Sequence, residues 1–126
     1  MAETLEVGKK LVELCKQGKM VEAVNSLYSP DIVSIEAHSP DPSAPTRMQG
    51  IAAVKGKNEW WINNHEVHKM EVTGPWPNGD RFVVNFKIDV TPKAGPMAGK
   101  RFSMEEAALY TVKNGKIVQE EFFYSM

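Results

Sequence analysis

Residues 82–90 alternate so regularly that they leave few folds open to the chain. Phe82, Val84, Phe86, Ile88 and Val90 share one side of an extended backbone, while Arg81, Val83, Asn85, Lys87 and Asp89 share the other. A strand written this way belongs in an antiparallel sheet with one packed face. The same period of two starts near His68, where His68, Met70, Val72 and Trp76 share a side, and turns back at Pro77-Asn78-Gly79-Asp80. It resumes after a longer connection over residues 92–99. There Phe102, Met104, Glu106, Ala108, Tyr110 and Val112 align, and Lys113-Asn114-Gly115-Lys116 makes a tight hairpin into a last strand whose Val118, Glu120, Phe122 and Tyr124 look the same way. Four strands in a meander are predicted.

The first half reads differently. Leu5, Val12, Leu14 and Cys15 trace a loose helical stripe that stops at Gln17-Gly18, and a second helix over about 19–28 buries Met20, Ala23, Val24 and Leu27. Ser29-Pro30-Asp31 breaks it. Residues 32–37 form a strand, the proline-rich stretch 39–45 is an irregular loop, and Gly50 opens a third helix to about residue 64, with Ile51, Val54, Trp61, Ile62 and His65 on one side. Adjacent Trp60 and Trp61 cannot both face inward, so Trp61 is assigned to the interior and Trp60 to a loop or a dimer seam. Three helices cannot cover both faces of the sheet. They are expected to pack on one face, giving an α+β fold with a cone-like space between the layers and a curved, mixed or antiparallel sheet. Leu109, Ile117 and Phe123 then remain on the outer face, which suggests a homodimer contact there.

At 126 residues the chain makes a single domain, 1–126. Its net charge of -1 and scattered basic residues argue against nucleic acid as a partner. No apolar run approaches the roughly 20 residues that span a bilayer, and Met1-Ala2-Glu3 opens on an acid, so no membrane association and a cytoplasmic location are expected. Cys15 is the only cysteine; it can form no internal disulfide and reads as a small buried hydrophobe. His65-x-x-His68 is the only suggestive histidine spacing, and it straddles a helix-to-strand junction, so neither a metal nor a cofactor is assigned.

Two carboxyl groups on predicted inward faces carry the functional argument. Burying an unpaired carboxylate costs several kcal/mol, so Glu106 and Glu120 demand partners, a wet cavity or a raised proton affinity. With Glu36 they form a candidate catalytic set, one group ionised as a base and another protonated as an acid or hydrogen-bond donor. In the alternative reading each is bonded to His65, His68, a tryptophan N–H or backbone and only holds the core together. Val33, Ile35 and Ala37 are the more apolar side of the first strand, so turning Glu36 inward needs a bulge or the strand's end. Tyr124, Trp61, His68, His65, Phe86 and Met104 are the candidate ligand-binding side chains. His38, just before the proline-rich loop, either gates the cavity or is solvated. Lys87 and Asp89 point outward and are read as a surface ion pair.

Three stretches carry a resemblance: 27–36 (Leu27-Tyr28-Ser29-Pro30-Asp31-Ile32-Val33-Ser34-Ile35-Glu36), 81–86 (Arg81-Phe82-Val83-Val84-Asn85-Phe86) and 110–118 (Tyr110 through the Asn114-Gly115 turn to Val118). The chain resembles the nuclear transport factor 2-like superfamily, in particular the SnoaL-like branch with polyketide cyclases and ketosteroid isomerase. The resemblance implies the cone fold and a small apolar or carbonyl-containing ligand, on which proton transfer proceeds without a cofactor. It places Glu36 where the isomerase has its catalytic base and Tyr124 on a pocket aromatic. The isomerase's neutral, hydrogen-bond-donating acid falls on Glu105 by counting and on Glu106 by strand parity. The donor tyrosine of that family's first helix has no counterpart here. The same resemblance admits a second role, a domain that binds a small ligand or another protein without catalysis.

Overall fold

Helix α1 (Ala2–Lys16) begins the computed structural model, which describes residues 2–38 and 45–124. Most of the proline-rich loop lies outside the described residues. Val7, Leu11, Val12 and Cys15 form the buried stripe of α1, and the helix crosses β3 at close range. Gly8 permits that approach: a Cβ there would sit 2.9 Å from the Pro75 ring and 3.3 Å from Phe82. Helix α2 (Met20–Leu27) buries Ala23, Val24 and Leu27. It ends one residue before Tyr28, whose extended backbone already belongs to β1 (Tyr28–Ile35). Ser29-Pro30-Asp31, expected as a break, lies within this strand. The pairing of β1 with β6 shifts register between Tyr28 and Val33, and such an irregularity accommodates a proline without a lost ladder bond.

A short strand that the sequence did not disclose, β2 (Arg47–Gln49), pairs antiparallel with the end of β1. Helix α3 (Ile51–Asn63) follows, then β3 (His65–Asn78), β4 (Arg81–Pro92), β5 (Phe102–Lys113) and β6 (Lys116–Phe123). The strand order is β2-β1-β6-β5-β4-β3, with β1 parallel to β6 and all other neighbours antiparallel. The result is α+β, a six-stranded mixed sheet with its helices on one face, as expected. The core between the layers is dense. Leu11, Val24, Ile32, Val54, Val84, Phe86 and Ile117 are each at most 2% exposed. None of the helices in the described residues is long and apolar enough to cross a membrane.

Bulges overturn several parity assignments, because one inserted residue flips every later side chain. Between Val67 and Lys69 the β3–β4 register slips, so His68 is the extra residue and is exposed instead of inward. A second slip between Thr73 and Trp76 turns Trp76 outward, 55% exposed. In β6, Val112 pairs with Ile117 and Thr111 with Gln119, which makes Val118 the extra residue. Ile117 is therefore in the core, not on the outer face, while Leu109 is half-buried and Phe123 is 49% exposed. Ile62 is also exposed. On α3 the inward stripe runs Val54, Lys57, Trp61, and Ile62 sits a step further round the helix. Asp89 pairs with Arg101 and not with Lys87; two bonds of 2.9 and 2.7 Å hold its carboxyl below the usual range, on the surface.

Candidate active site

The inward side of β1 is Ile32 and Ser34, with Glu36 following just past the strand's end, opposite to the side that apolar content suggested. Of the two ways considered for turning Glu36 inward, no bulge is needed and the residue does lie just past the strand's end. Ser34 is fully buried and Glu36 largely so because both are held by a cation that helix α3 inserts between them. Lys57 stands in the apolar stripe of α3, its side chain 8% exposed, and donates to Ser34 Oγ, to Glu36 Oε1 at 2.7 Å and to Glu120 Oε2 at 3.5 Å. Its ammonium also lies 4.8 Å from the centre of the Phe122 ring. Glu120, 2% exposed, accepts the Tyr28 hydroxyl on Oε1 and Ser34 Oγ on Oε2 at 2.7 Å. Each oxygen of this buried carboxylate thus has at least one donor.

Glu36 is engaged on its other oxygen too. The Tyr124 hydroxyl lies 3.0 Å from Glu36 Oε2 and 3.1 Å from the His38 carbonyl oxygen, and it accepts the His38 backbone N–H at 3.4 Å. His38 is exposed and its ring stands 5.7 Å from that of Tyr124. Burial first, then the Glu36 carboxylate, pushes the Tyr124 hydroxyl well above the ordinary phenol range, so it stays protonated and remains a donor. Tyr28 and Tyr110 are raised likewise, again by burial before the Glu120 charge. The Cys15 thiol is pushed up to about 12, chiefly by burial, and behaves as the hydrophobe the sequence indicated.

Glu106 differs from the other two acids. It is half-buried on β5 opposite Phe86, and among the described residues no side chain donates to it. Burial, with the Glu36 and Glu120 charges adding to it and Lys57 opposing, raises its carboxyl from 4.5 to about 7. Its neighbour Glu105 is exposed on the other face and takes the Asn85 amide at 2.9 Å, which settles the choice between the two in favour of Glu106 as the inward acid. Glu106 and Tyr124 line a shallow depression of about 580 Å³ with Glu105 and Phe123. This depression opens where β6 ends beside the middle of β5, is lined from both sheet faces, and is not enclosed under the helices, because the expected hollow is filled by core side chains.

The remaining sequence candidates lie elsewhere. Phe86 is 2% exposed and Met104, partly buried, packs against the core, and neither lines the depression. Trp61 stacks on His65, ring centres 4.5 Å apart and 13° from parallel, and His65 Nδ1 bonds the Trp61 carbonyl at 2.8 Å. These two form an aromatic cap on α3, edged by Trp60. His68 bonds Thr91 Oγ1 at 2.7 Å on the exposed side. The described residues hold no grouping of three or more His, Cys, Asp or Glu arranged for a metal. Sequence reasoning overlooked Lys57, Ser34 and Tyr28. A signal for Lys57 existed: a lysine at i+3 from Val54 and i-4 from Trp61 interrupts an apolar helix stripe just as Glu106 interrupts an apolar strand face.

Comparison with known proteins agrees with this architecture. A candidate SnoaL-like polyketide cyclase from Mesorhizobium loti, also described as a carbohydrate phosphatase, is 45% identical, with a TM-score of 0.86 over 94% of this chain and 97% of its own. A candidate polyketide cyclase from Pseudomonas putida superposes with a TM-score of 0.71 at 17% identity, over 98% of this chain and 92% of its own. A Catenulispora acidiphila protein with a ketosteroid isomerase-like fold, in complex with trimethylamine, gives 0.72 at 18% identity over 98% and 88%. The last two likenesses concern the fold alone. No match is found among curated proteins. The SnoaL-like domain model matches residues 2–124, and the chain belongs to the SnoaL-like family.

Proposed function

We propose that this protein catalyses cofactor-free proton transfer next to a carbonyl group of a small, polyketide-like substrate, with Glu106 as the group that exchanges the proton. The observation that carries this reading is the placement of Glu106 and Tyr124 on one depression: a carboxyl group near half-ionisation at neutral pH beside a phenol that stays protonated. As a carboxylate Glu106 takes a proton from the carbon next to the carbonyl. The C–H electron pair moves into the carbonyl system, and the charge gathering on oxygen meets the Tyr124 hydroxyl, which turns its one proton from Glu36 to that oxygen. Glu106 then returns the proton to carbon. Glu36, the base that the resemblance implies, is occupied by Lys57 and Tyr124 and serves to hold the phenol; Glu120 is too deeply buried to touch a ligand.

The non-catalytic reading draws on the same network, since Glu36 and Glu120 are both saturated by neighbours. Deuterium exchange separates the two. Cyclic ketones and 1,3-diketones incubated with the protein in D2O are expected to exchange their α-protons, and Glu106→Gln to slow this by about 100-fold or more. Glu71→Gln, an exposed control on β3, leaves it unchanged. Absence of protein-dependent exchange across the panel, or an undiminished rate in Glu106→Gln, favours the binding domain. We also propose a homodimer through the outer sheet face, where Trp76 and Phe123 stand exposed near Leu109 and Val83.

A further inference from the structure

Three carboxyl groups surround one ammonium group, and that ammonium engages only two of them. Lys57 Nζ is ion-paired with Glu36 and Glu120 and donates to Ser34, so its three N–H directions are taken by acceptors on β1, just past its end and on β6, and no ion pair joins it to Glu106. The Phe122 ring covers a further side. A lysine this deeply placed is tolerated only where each donor is satisfied, so the geometry of the whole cluster is fixed by where α3 delivers the charge.

We propose that Lys57 is the positioning residue of this site: by engaging Glu36 and Glu120 but not Glu106, it holds Glu36 against Tyr124 and limits how tightly Glu106 keeps its proton. The proposal rests on the reading of Glu106 as the proton-exchanging group. The charged and titratable groups that face Glu106 are Glu36 beyond β1, Lys57 on α3, Glu120 on β6, and Tyr124 and Tyr110. Its partner on β4, Phe86, carries no charge. Two carboxylates against one ammonium leave a local charge of -1, and a proton on Glu106 avoids raising it to -2. Deleting the ammonium strengthens that bias; deleting a neighbouring carboxylate weakens it.

The test is an NMR titration of Glu106 in Lys57→Met and in Glu120→Gln, alongside the pH profile of α-proton exchange. Lys57→Met is expected to move the Glu106 midpoint upward by about one pH unit, and Glu120→Gln to move it downward by about half a pH unit. The exchange profile follows each shift. A lysine with only an architectural role lowers stability in both variants without producing shifts of opposite sign, so unmoved midpoints, or two moving the same way, overturn the proposal. Should Lys57→Met fail to fold, Lys57→Gln, which keeps hydrogen-bond donors but not the charge, decides in its place: an upward shift of the Glu106 midpoint supports the proposal and its absence refutes it. Opposite shifts combined with undiminished exchange in Glu106→Gln would leave Lys57 as assigned and remove the proton-transfer reading instead.

Discussion

Tyr124 and Glu36 are 88 positions apart in sequence, yet the hydroxyl of one lies 3.0 Å from the carboxylate of the other. The contact joins the segment after β6 to the segment after β1, and it exists because those two strands run parallel and end side by side. In an antiparallel pair the two ends would lie at opposite edges of the sheet. The parallel step therefore gathers Ser34, Glu36, Glu120 and Tyr124 at one rim, where Lys57 reaches them from above.

Stability should fall as pH rises through neutrality. Glu106 binds its proton more tightly folded, at about 7, than unfolded, at 4.5, so the native state holds more protons between those values. Its contribution is complete below about pH 4.5 and is lost as pH passes 7, up to about 3 kcal/mol in all. Urea unfolding at pH 5 and pH 8 should show this loss in the wild type. Glu106→Gln should flatten it, and an equal slope in the variant would contradict the assignment.

Removing the central cation should be costly and removing a surface one should not. Lys57→Met leaves Glu36 and Glu120 without their shared partner and is expected to cost about 3–5 kcal/mol. Lys10, whose pair with Glu6 is 61% and 68% exposed, should lose less than about 0.5 kcal/mol on change to alanine. Thermal unfolding of the two variants measures the contrast directly.

Most of the fold was legible because periodicity is a local property. The alternation from Phe82 to Val90 gave β4 its faces without error, and Glu106 on β5 and Glu120 on β6 point inward as their patterns indicated. What failed was counting across bulges. His68, Trp76 and Val118 follow or occupy inserted residues whose presence depends on the partner strand, and nothing within β3 or β6 alone records it. Ser34 failed for another reason: hydropathy gave the wrong face of β1 because a buried polar side chain is stabilised by groups 23 and 86 residues away. β2, three residues long, pairs only where β1 offers an edge, and short strands leave no periodic trace.

Tyr28 and Ser34 should behave as one unit with Glu120. Tyr28→Phe removes the donor to Oε1 in a fully buried setting and is expected to cost about 1–3 kcal/mol. Paired with Ser34→Ala, the double variant should lose less than the two single costs together, since the carboxylate already lacks a donor after the first change. Additive losses in urea unfolding would mean that the two hydroxyls act on Glu120 independently.

The outer sheet face offers the last test, because it decides whether its apolar side chains are covered. Trp76 and Phe123 are about half exposed, and Leu109 and Val83 continue the patch on the strands between them. A face of this kind on a free monomer leaves apolar surface in water that a self-complementary contact around a two-fold axis would remove. Sedimentation equilibrium should give twice the chain mass of 14.1 kDa, and Leu109→Asp should return it to the single-chain value while the fold, monitored by far-UV circular dichroism, persists. A wild-type mass of one chain over the full concentration range would show that the face stays bare and that dimerisation has no part in how this protein works.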